Sequence, residues 1–224
     1  MSQDVLGVFV KHPVPGQVKT RLATALGEQR AAELYASFLA DIVARFRTVG
    51  GRRLLCYTPN DQDAVDYFLP LAQQDYELWP QPDGPLGVRM TAFFDEFLGA
   101  ASGRAVIIGS DSPTLPRELV DQAYERLGEQ DCVLGPAVDG GYYLVGQRVC
   151  SRPIFESVVW SSPQALEQTV AQIAATGARL GLLQPWYDID TPEDLEFLRG
   201  HVRALQISGE AVDLDATIPL LPRD

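Results

Sequence analysis

Short apolar runs alternate with helix-length amphipathic segments along almost the whole chain, and that alternation sets the fold class. Residues 5–10 are apolar and stop at His12-Pro13, which reads as a buried first strand. After Gly27-Glu28, the residues Ala31, Leu34, Tyr35, Phe38, Leu39 and Ile42 recur at three- and four-residue steps, the core stripe of a long helix. Further strands are expected at 54–57, 76–79, 105–108, 132–134, 142–145 and 180–183, and helices at 62–72, 88–98, 118–127, 163–175 and 191–202. Strands and helices in this order imply a three-layer α/β/α sandwich around a mostly parallel sheet. No repeat or linker divides the chain, so residues 1–204 are expected to form one domain. Residues 205–224 carry Gly209, Pro219 and Pro222 and are expected to be a peripheral tail, a packing or dimer arm.

A chain of 224 residues is large enough to bury a sizeable core without disulfides or metal staples. Its 18 basic and 30 acidic residues leave a net charge of −12, the wrong sign for a nucleic-acid binder or an anionic membrane surface. The apolar runs fall far short of the roughly 18 residues that span a bilayer, and no signal-peptide pattern is visible; a cytoplasmic protein is expected. Cys56, Cys132 and Cys150 lack metal-like spacing and read as buried small hydrophobes. His12 and His201 are the only histidines, which excludes a His-rich zinc site. Carboxylates, arginines and lysines are left to carry any chemistry.

The lysines are the most telling. The chain has only two, Lys11 and Lys19, both in one nine-residue stretch, Lys-His-Pro-Val-Pro-Gly-Gln-Val-Lys. That stretch follows the first strand and opens a helix, with prolines to stiffen it and Gly16 to admit a ligand to the backbone. Lys19 and Arg21 then sit where free helix N–H groups already favour anions, a phosphate cradle in chemistry although neither a Walker A loop nor a Rossmann fingerprint. Three more loops follow strands, where open α/β sheets bind ligands. Gly109-Ser-Asp-Ser-Pro113 delivers Asp111, a candidate ligand for Mg²⁺ or Mn²⁺; an Asp turn before a helix explains it equally. Asp139-Gly140-Gly141 reads either as a hairpin turn or as a carboxylate beside open backbone. In Asp188-Ile-Asp-Thr-Pro-Glu-Asp194, the Thr191 cap, Pro192 and Asp194 are a helix start. Asp188 and Asp190 remain for a ligand. They are expected to diverge, with Asp190 aimed at the site and Asp188 the less favoured alternative. Gly84, Gly87 and Arg89 precede or open a helix, suiting a nucleotide contact or a cap, and Trp160 is a core aromatic or a wall of the acceptor site.

Taken together, Lys11-x-Pro-x-Pro-Gly-x-x-Lys-Thr-Arg-Leu22, Gly109-Ser-Asp-Ser-Pro113, Gly135-Pro136, Asp139-Gly-Gly-Tyr-Tyr143 and Asp188-Ile-Asp-Thr-Pro-Glu-Asp-Leu195 resemble a bacterial family of nucleotide-diphospho-sugar transferases. Its members are associated with radical-SAM/selenodomain or arsenosugar gene sets. The resemblance runs from Val5 to Leu198. It implies a GT-A type fold, shared with sugar-nucleotide and molybdenum-cofactor nucleotidyltransferases, with Asp111 and Asp190 as metal ligands and Lys19 and Arg21 as the phosphate loop. Where the family has Gly-Asp-Leu-Gly-Glu-Arg-Met, this chain has Gly84-Pro-Leu-Gly-Val-Arg-Met90, and Trp160-Ser-Ser162 stands for Trp-Ser-Thr.

The expected function is metal-dependent glycosyl transfer from a nucleotide sugar to a small-molecule acceptor. Lys11, Gly16, Lys19, Arg21, Gly84, Gly87, Arg89 and Asp111 would face the nucleotide, and Gly140, Gly141 and Trp160 the acceptor. Asp139 would act as base, with Lys19 and Arg21 stabilising the leaving group. One alternative joins an NTP to a sugar phosphate or cofactor phosphate with release of pyrophosphate. Another is a nucleotide-binding protein without catalysis. A homodimer is left open.

Overall fold

The computed structural model describes residues 4–98, 103–148 and 153–222. Among them, seven strands form one sheet, β1(Asp4–Lys11), β2(Arg52–Thr58), β3(Glu77–Pro80), β4(Arg104–Ile108), β5(Cys132–Pro136), β6(Tyr142–Arg148) and β7(Leu180–Leu182). Their order is β3-β2-β1-β4-β6-β5-β7, and β6 alone runs antiparallel to its neighbours. The helices are α1(Thr20–Leu26), α2(Glu28–Phe46), α3(Gln62–Ala72), α4(Leu86–Phe97), α5(Arg117–Arg126), α6(Ala165–Ala175) and α7(Pro192–Ser208). This is the three-layer, mostly parallel architecture that the alternating pattern implies.

The central strands read as unbroken apolar runs because both faces of the sheet are covered. Leu6, Val8, Val10, Val106 and Ile108 turn to one core with Phe38, Phe46 and Leu119. Val5, Ala105 and Ile107 turn to the other with Met90, Phe93, Phe94 and Ile173. On this second face α4 lies so close to β1 that a Cβ at Gly7 would come within 2.6 Å of the Phe93 ring. Cys56 and Cys132 are buried, as expected; Cys150 lies outside the described residues. No described helix is long and apolar enough to cross a membrane.

Helix α7 runs past the expected domain bound at residue 204 to Ser208, and the chain beyond it packs onto the domain. Leu214 and Thr217 are fully buried, and the amides of Ala216 and Thr217 both donate to the Asp41 carboxylate of α2 at 2.9 Å. Arg45 donates to the Asp213 carbonyl at 2.7 Å. Asp41 is itself buried, and a carboxylate out of water needs such donors. The segment therefore works as a strap across α2.

Strand polarity puts the key loops on one edge. The parallel strands β1, β4, β5 and β7 all end there, and antiparallel β6 starts there, so the β5–β6 hairpin joins the same edge.

Candidate active site

The first loop leaves β1 at Lys11 and is pinned at once, since the His12 amide donates to the Thr58 carbonyl at 2.8 Å. Gly16 has φ +77°, a turn that a side chain would strain. Lys11 Nζ bonds the Gln17 carbonyl at 2.7 Å and bridges its own loop, exposed to solvent. Lys19 caps α1 with left-handed backbone angles, φ 47° and ψ 42°. A lysine seldom adopts that conformation, so surrounding contacts hold it there. Helix α1 is only seven residues long, so the fixed charges of the loop matter more than its dipole.

Those contacts converge on one ammonium group. Lys19 Nζ donates to Asp111 Oδ1 and, at 2.8 Å, to Asp190 Oδ1. Arg21 Nη2 donates to Asp190 Oδ2 at 2.7 Å. The Lys19 side chain is 3% exposed while that of Asp111 is 47% exposed, so the cluster is closed at the lysine and open at the carboxylate. The rings of Tyr35 and Phe38 lie 5.5 and 5.9 Å from Nζ, favourable for a cation over an aromatic face. Burial alone would lower the Lys19 pKa, but Asp111 and Asp190 override it and the net shift is upward. For Asp190, burial works upward, yet Lys19 and Arg21 hold the carboxyl below its ordinary range. Four charges from three distant parts of the chain thus meet in one cluster.

A second layer fixes their positions. The Tyr35 hydroxyl bonds Ser110 Oγ at 2.7 Å and accepts from the Lys11 amide at 3.2 Å, tying α2 to both loops. The Ile189 amide donates to the Asp111 carbonyl at 2.8 Å, stitching the 183–190 segment to the loop after β4. The Trp186 indole and the Tyr187 hydroxyl both engage Thr114, at 3.2 and 2.7 Å. Asp188 accepts from Ser112 Oγ. Burial pushes its carboxyl up to about 7, assisted by Asp111 and Asp139 and opposed by Ser112 and Lys19. Asp188 does not diverge from Asp190. Residues two apart on extended backbone share a face, and it is Ile189 between them that turns into the core.

The remaining candidates are held in smaller clusters. Asp139-Gly140 forms the β5–β6 hairpin, with Asp139 Oδ1 accepting from the Gly141 amide at 2.9 Å. Gly140 has φ +92° and packs on Pro163, and its carbonyl accepts from Leu166 at 2.9 Å. Arg89 donates to the Gly84 carbonyl at 2.8 Å and to Gln81 and Thr58 at 3.3 and 3.4 Å. Gly87 lies against the Trp160 indole, where a Cβ would come within 2.9 Å of Nε1. Trp160 also packs on Tyr142 and Phe155, which gives it the place of a core aromatic at the sheet's second face.

Residues 42–162, just over half of the chain, match the model of a family described as uncharacterised proteins conserved in bacteria, DUF2064. The chain belongs to the DUF2064 family. This DUF2064 protein also superposes on a protein from Desulfovibrio desulfuricans G20, provisionally named a nucleotide-diphospho-sugar transferase. The TM-score is 0.85 and the identity 32%, over 96% of this chain and 94% of that one. The resemblance read from the five motifs agrees with this neighbour. Two more distant structures share the fold. One is CMP:2-keto-3-deoxy-manno-octonic acid synthetase complexed with CTP (TM-score 0.53, 12% identity, 91% of this chain and 99% of that one). The other is 4-diphosphocytidyl-2C-methyl-D-erythritol synthase (TM-score 0.54, 11% identity, 90% and 99%). No curated protein matches the chain.

The donor set of the DUF2064 chain suits a hard cation only in part by itself. Among the described residues no three His, Cys, Asp or Glu side chains cluster as a metal cage. Two carboxylates do meet on one positive charge, and a small divalent ion that completes its shell with phosphate oxygens asks for no more. Sequence spacing does not mark Tyr35, Ser110 and Ser112 as parts of this site. Tyr35 sits in a regular core stripe, and the two serines flank an aspartate whose own signal is stronger. A separate cavity of about 860 Å³ lies between α2, the start of α5, α7 and the strap. Arg45 in its wall is already engaged by the Pro113, Leu115 and Asp213 carbonyls, so it fastens the strap.

Proposed function

We propose that this protein is a glycosyltransferase dependent on Mg²⁺ or Mn²⁺, taking a nucleotide-diphospho-sugar donor and a small-molecule acceptor. One observation carries the reading: Asp111 and Asp190 converge on a single cation at the carboxyl edge of the sheet, with Arg21 beside them. Asp111 and Asp190 would hold the divalent ion, which when bound supplies charge neutralisation at the leaving diphosphate. Lys19 and Arg21 add fixed positive charge there, and the burial of Lys19 strengthens its share. Lys11 at the loop mouth and Arg89 at the neighbouring strand end extend the basic lining. In a protein of net charge −12, an anionic donor needs a local inversion of sign, which a divalent ion would supply to this otherwise balanced cluster. Gly16, Gly84 and Gly87 are assigned to the donor side, and Gly140 and Gly141 to the acceptor side. Asp139, on the hairpin at the same edge, would take the proton of an acceptor hydroxyl. The name of the Desulfovibrio relative supports this donor class.

A second reading rests on Asp139. Its carboxylate already holds the Gly141 amide, so the hairpin accounts for it without a role as base. Nucleotidyl transfer to a phosphate needs no base, because the nucleophile is anionic, and the same cluster would then take an NTP and release pyrophosphate. Incubation with nucleotide sugars and NTPs in the presence of Mn²⁺ separates the two by product: nucleoside diphosphate for the first, pyrophosphate for the second. Asp139→Asn is expected to slow glycosyl transfer by about 10²–10⁴-fold with donor binding intact; unchanged turnover removes it as the base. Asp111→Ala and Asp190→Ala are each expected to abolish metal-dependent nucleotide binding in calorimetry. Wild-type affinity in both variants would end the metal assignment.

A further inference from the structure

We propose that Lys19 is the built-in counter-ion of this site, holding Asp111 and Asp190 until a divalent cation takes them, and then presenting its ammonium group to the incoming diphosphate. The inference rests on the transferase reading and adds a coupling that the reading does not contain. Lys19 is placed with unusual care for a surface-loop residue. Its side chain is 3% exposed, it lies over two aromatic rings, its backbone is left-handed, and its ammonium bonds both carboxylates. It therefore occupies the space between the two oxygens that a metal would share.

Charge balance governs which ligands this cluster accepts together. Lys19 and Arg21 balance Asp111 and Asp190, so the cluster is neutral as it stands. A divalent ion arriving alone meets carboxylates that are already paired and leaves two positive charges uncompensated in a half-dry pocket, where like charges repel strongly. A diphosphate arriving with the ion restores the balance and offers the displaced ammonium new oxygens. The Lys19–Asp190 distance is 2.8 Å. Once the ammonium has left, both carboxylates would be free to hold the ion. Cation and diphosphate are thereby coupled through one side chain, and such coupling is reciprocal.

The coupling predicts opposite signs for the two ligands. Removing the Lys19 charge is expected to tighten Mn²⁺ binding and to weaken diphosphate binding. A residue that only bound phosphate would change the second alone, and a purely structural residue would weaken both. Mn²⁺ alone is titrated into the wild-type protein, Lys19→Met and Lys19→Gln, with free Mn²⁺ counted by electron paramagnetic resonance. Glutamine keeps a polar contact with both carboxylates where methionine fails to fold. The expected result is about tenfold tighter Mn²⁺ binding in either variant, within the usual range of coupling between ligands, and loss of that gain when Asp111→Asn is added. Inorganic pyrophosphate, titrated by calorimetry in chelator, is expected to bind the variants about tenfold more weakly. Equal or weaker Mn²⁺ affinity in the folded variants overturns the role of Lys19. With the wild type still binding Mn²⁺ beside pyrophosphate, that result leaves the transferase reading standing. Absence of Mn²⁺ binding in every protein, with and without pyrophosphate, overturns both.

Discussion

The Tyr35 hydroxyl is a strut between two loops, bonded to Ser110 from one and to the Lys11 amide from the other while its ring backs the Lys19 ammonium. Tyr35→Phe keeps the ring and removes the strut. It is expected to cost about 1–2 kcal/mol, since buried partners lose a hydrogen bond, and to lower the urea midpoint with an unchanged slope. Lys19→Ala is expected to weaken diphosphate binding at low salt by ~1.5–3 kcal/mol, the scale of hydrogen bonds to charged groups. Undiminished affinity by calorimetry would show that the loop does not bind phosphate. The scarcity of lysine made Lys19 legible in sequence. Nothing local distinguished Tyr35, because a residue in a regular core stripe shows its burial and hides what its polar end touches.

At the level of elements, the β5–β6 hairpin carries a commitment that its tip cannot easily change. Gly140 combines φ +92° with a position where a Cβ would meet the Pro163 backbone, 2.6 Å from its Cα. Gly140→Ala is expected to destabilise the protein by about 1–3 kcal/mol, as forced left-handed backbone does, and to displace Asp139. A melting temperature within a degree of wild type would refute that strain. The strands were readable because double-sided burial writes a continuous apolar run, and 62–72 reads as the helix observed. The Asp139-Gly140 pair also carried its hairpin signal openly. Strand order was not readable. The convergence of Asp111 and Asp190 depends on β4 lying inside the sheet and on the 183–190 segment crossing to it, both long-range facts that no local pattern encodes.

Across the whole molecule, the strap closes the fold on the helix that backs the site. Asp41 receives the amides of Ala216 and Thr217, while Tyr35 and Phe38 on the same helix face Lys19. Asp41→Ala leaves those amides without their acceptor and is expected to cost about 1–3 kcal/mol in urea unfolding. A change below about 0.5 kcal/mol, the range of ordinary surface substitutions, would show that the strap is held by its apolar contacts alone. Its glycine and prolines suggested a peripheral arm; what they could not show was a buried carboxylate on α2 in need of donors. The indole of Trp186 hydrogen-bonds Thr114, three residues beyond Asp111. The other two tryptophans, Trp79 and Trp160, lie on the opposite face of the sheet. With those two replaced by phenylalanine, ultraviolet emission from the remaining fluorophore would report directly on the loop that carries Asp111, giving an optical signal of occupancy without any attached dye.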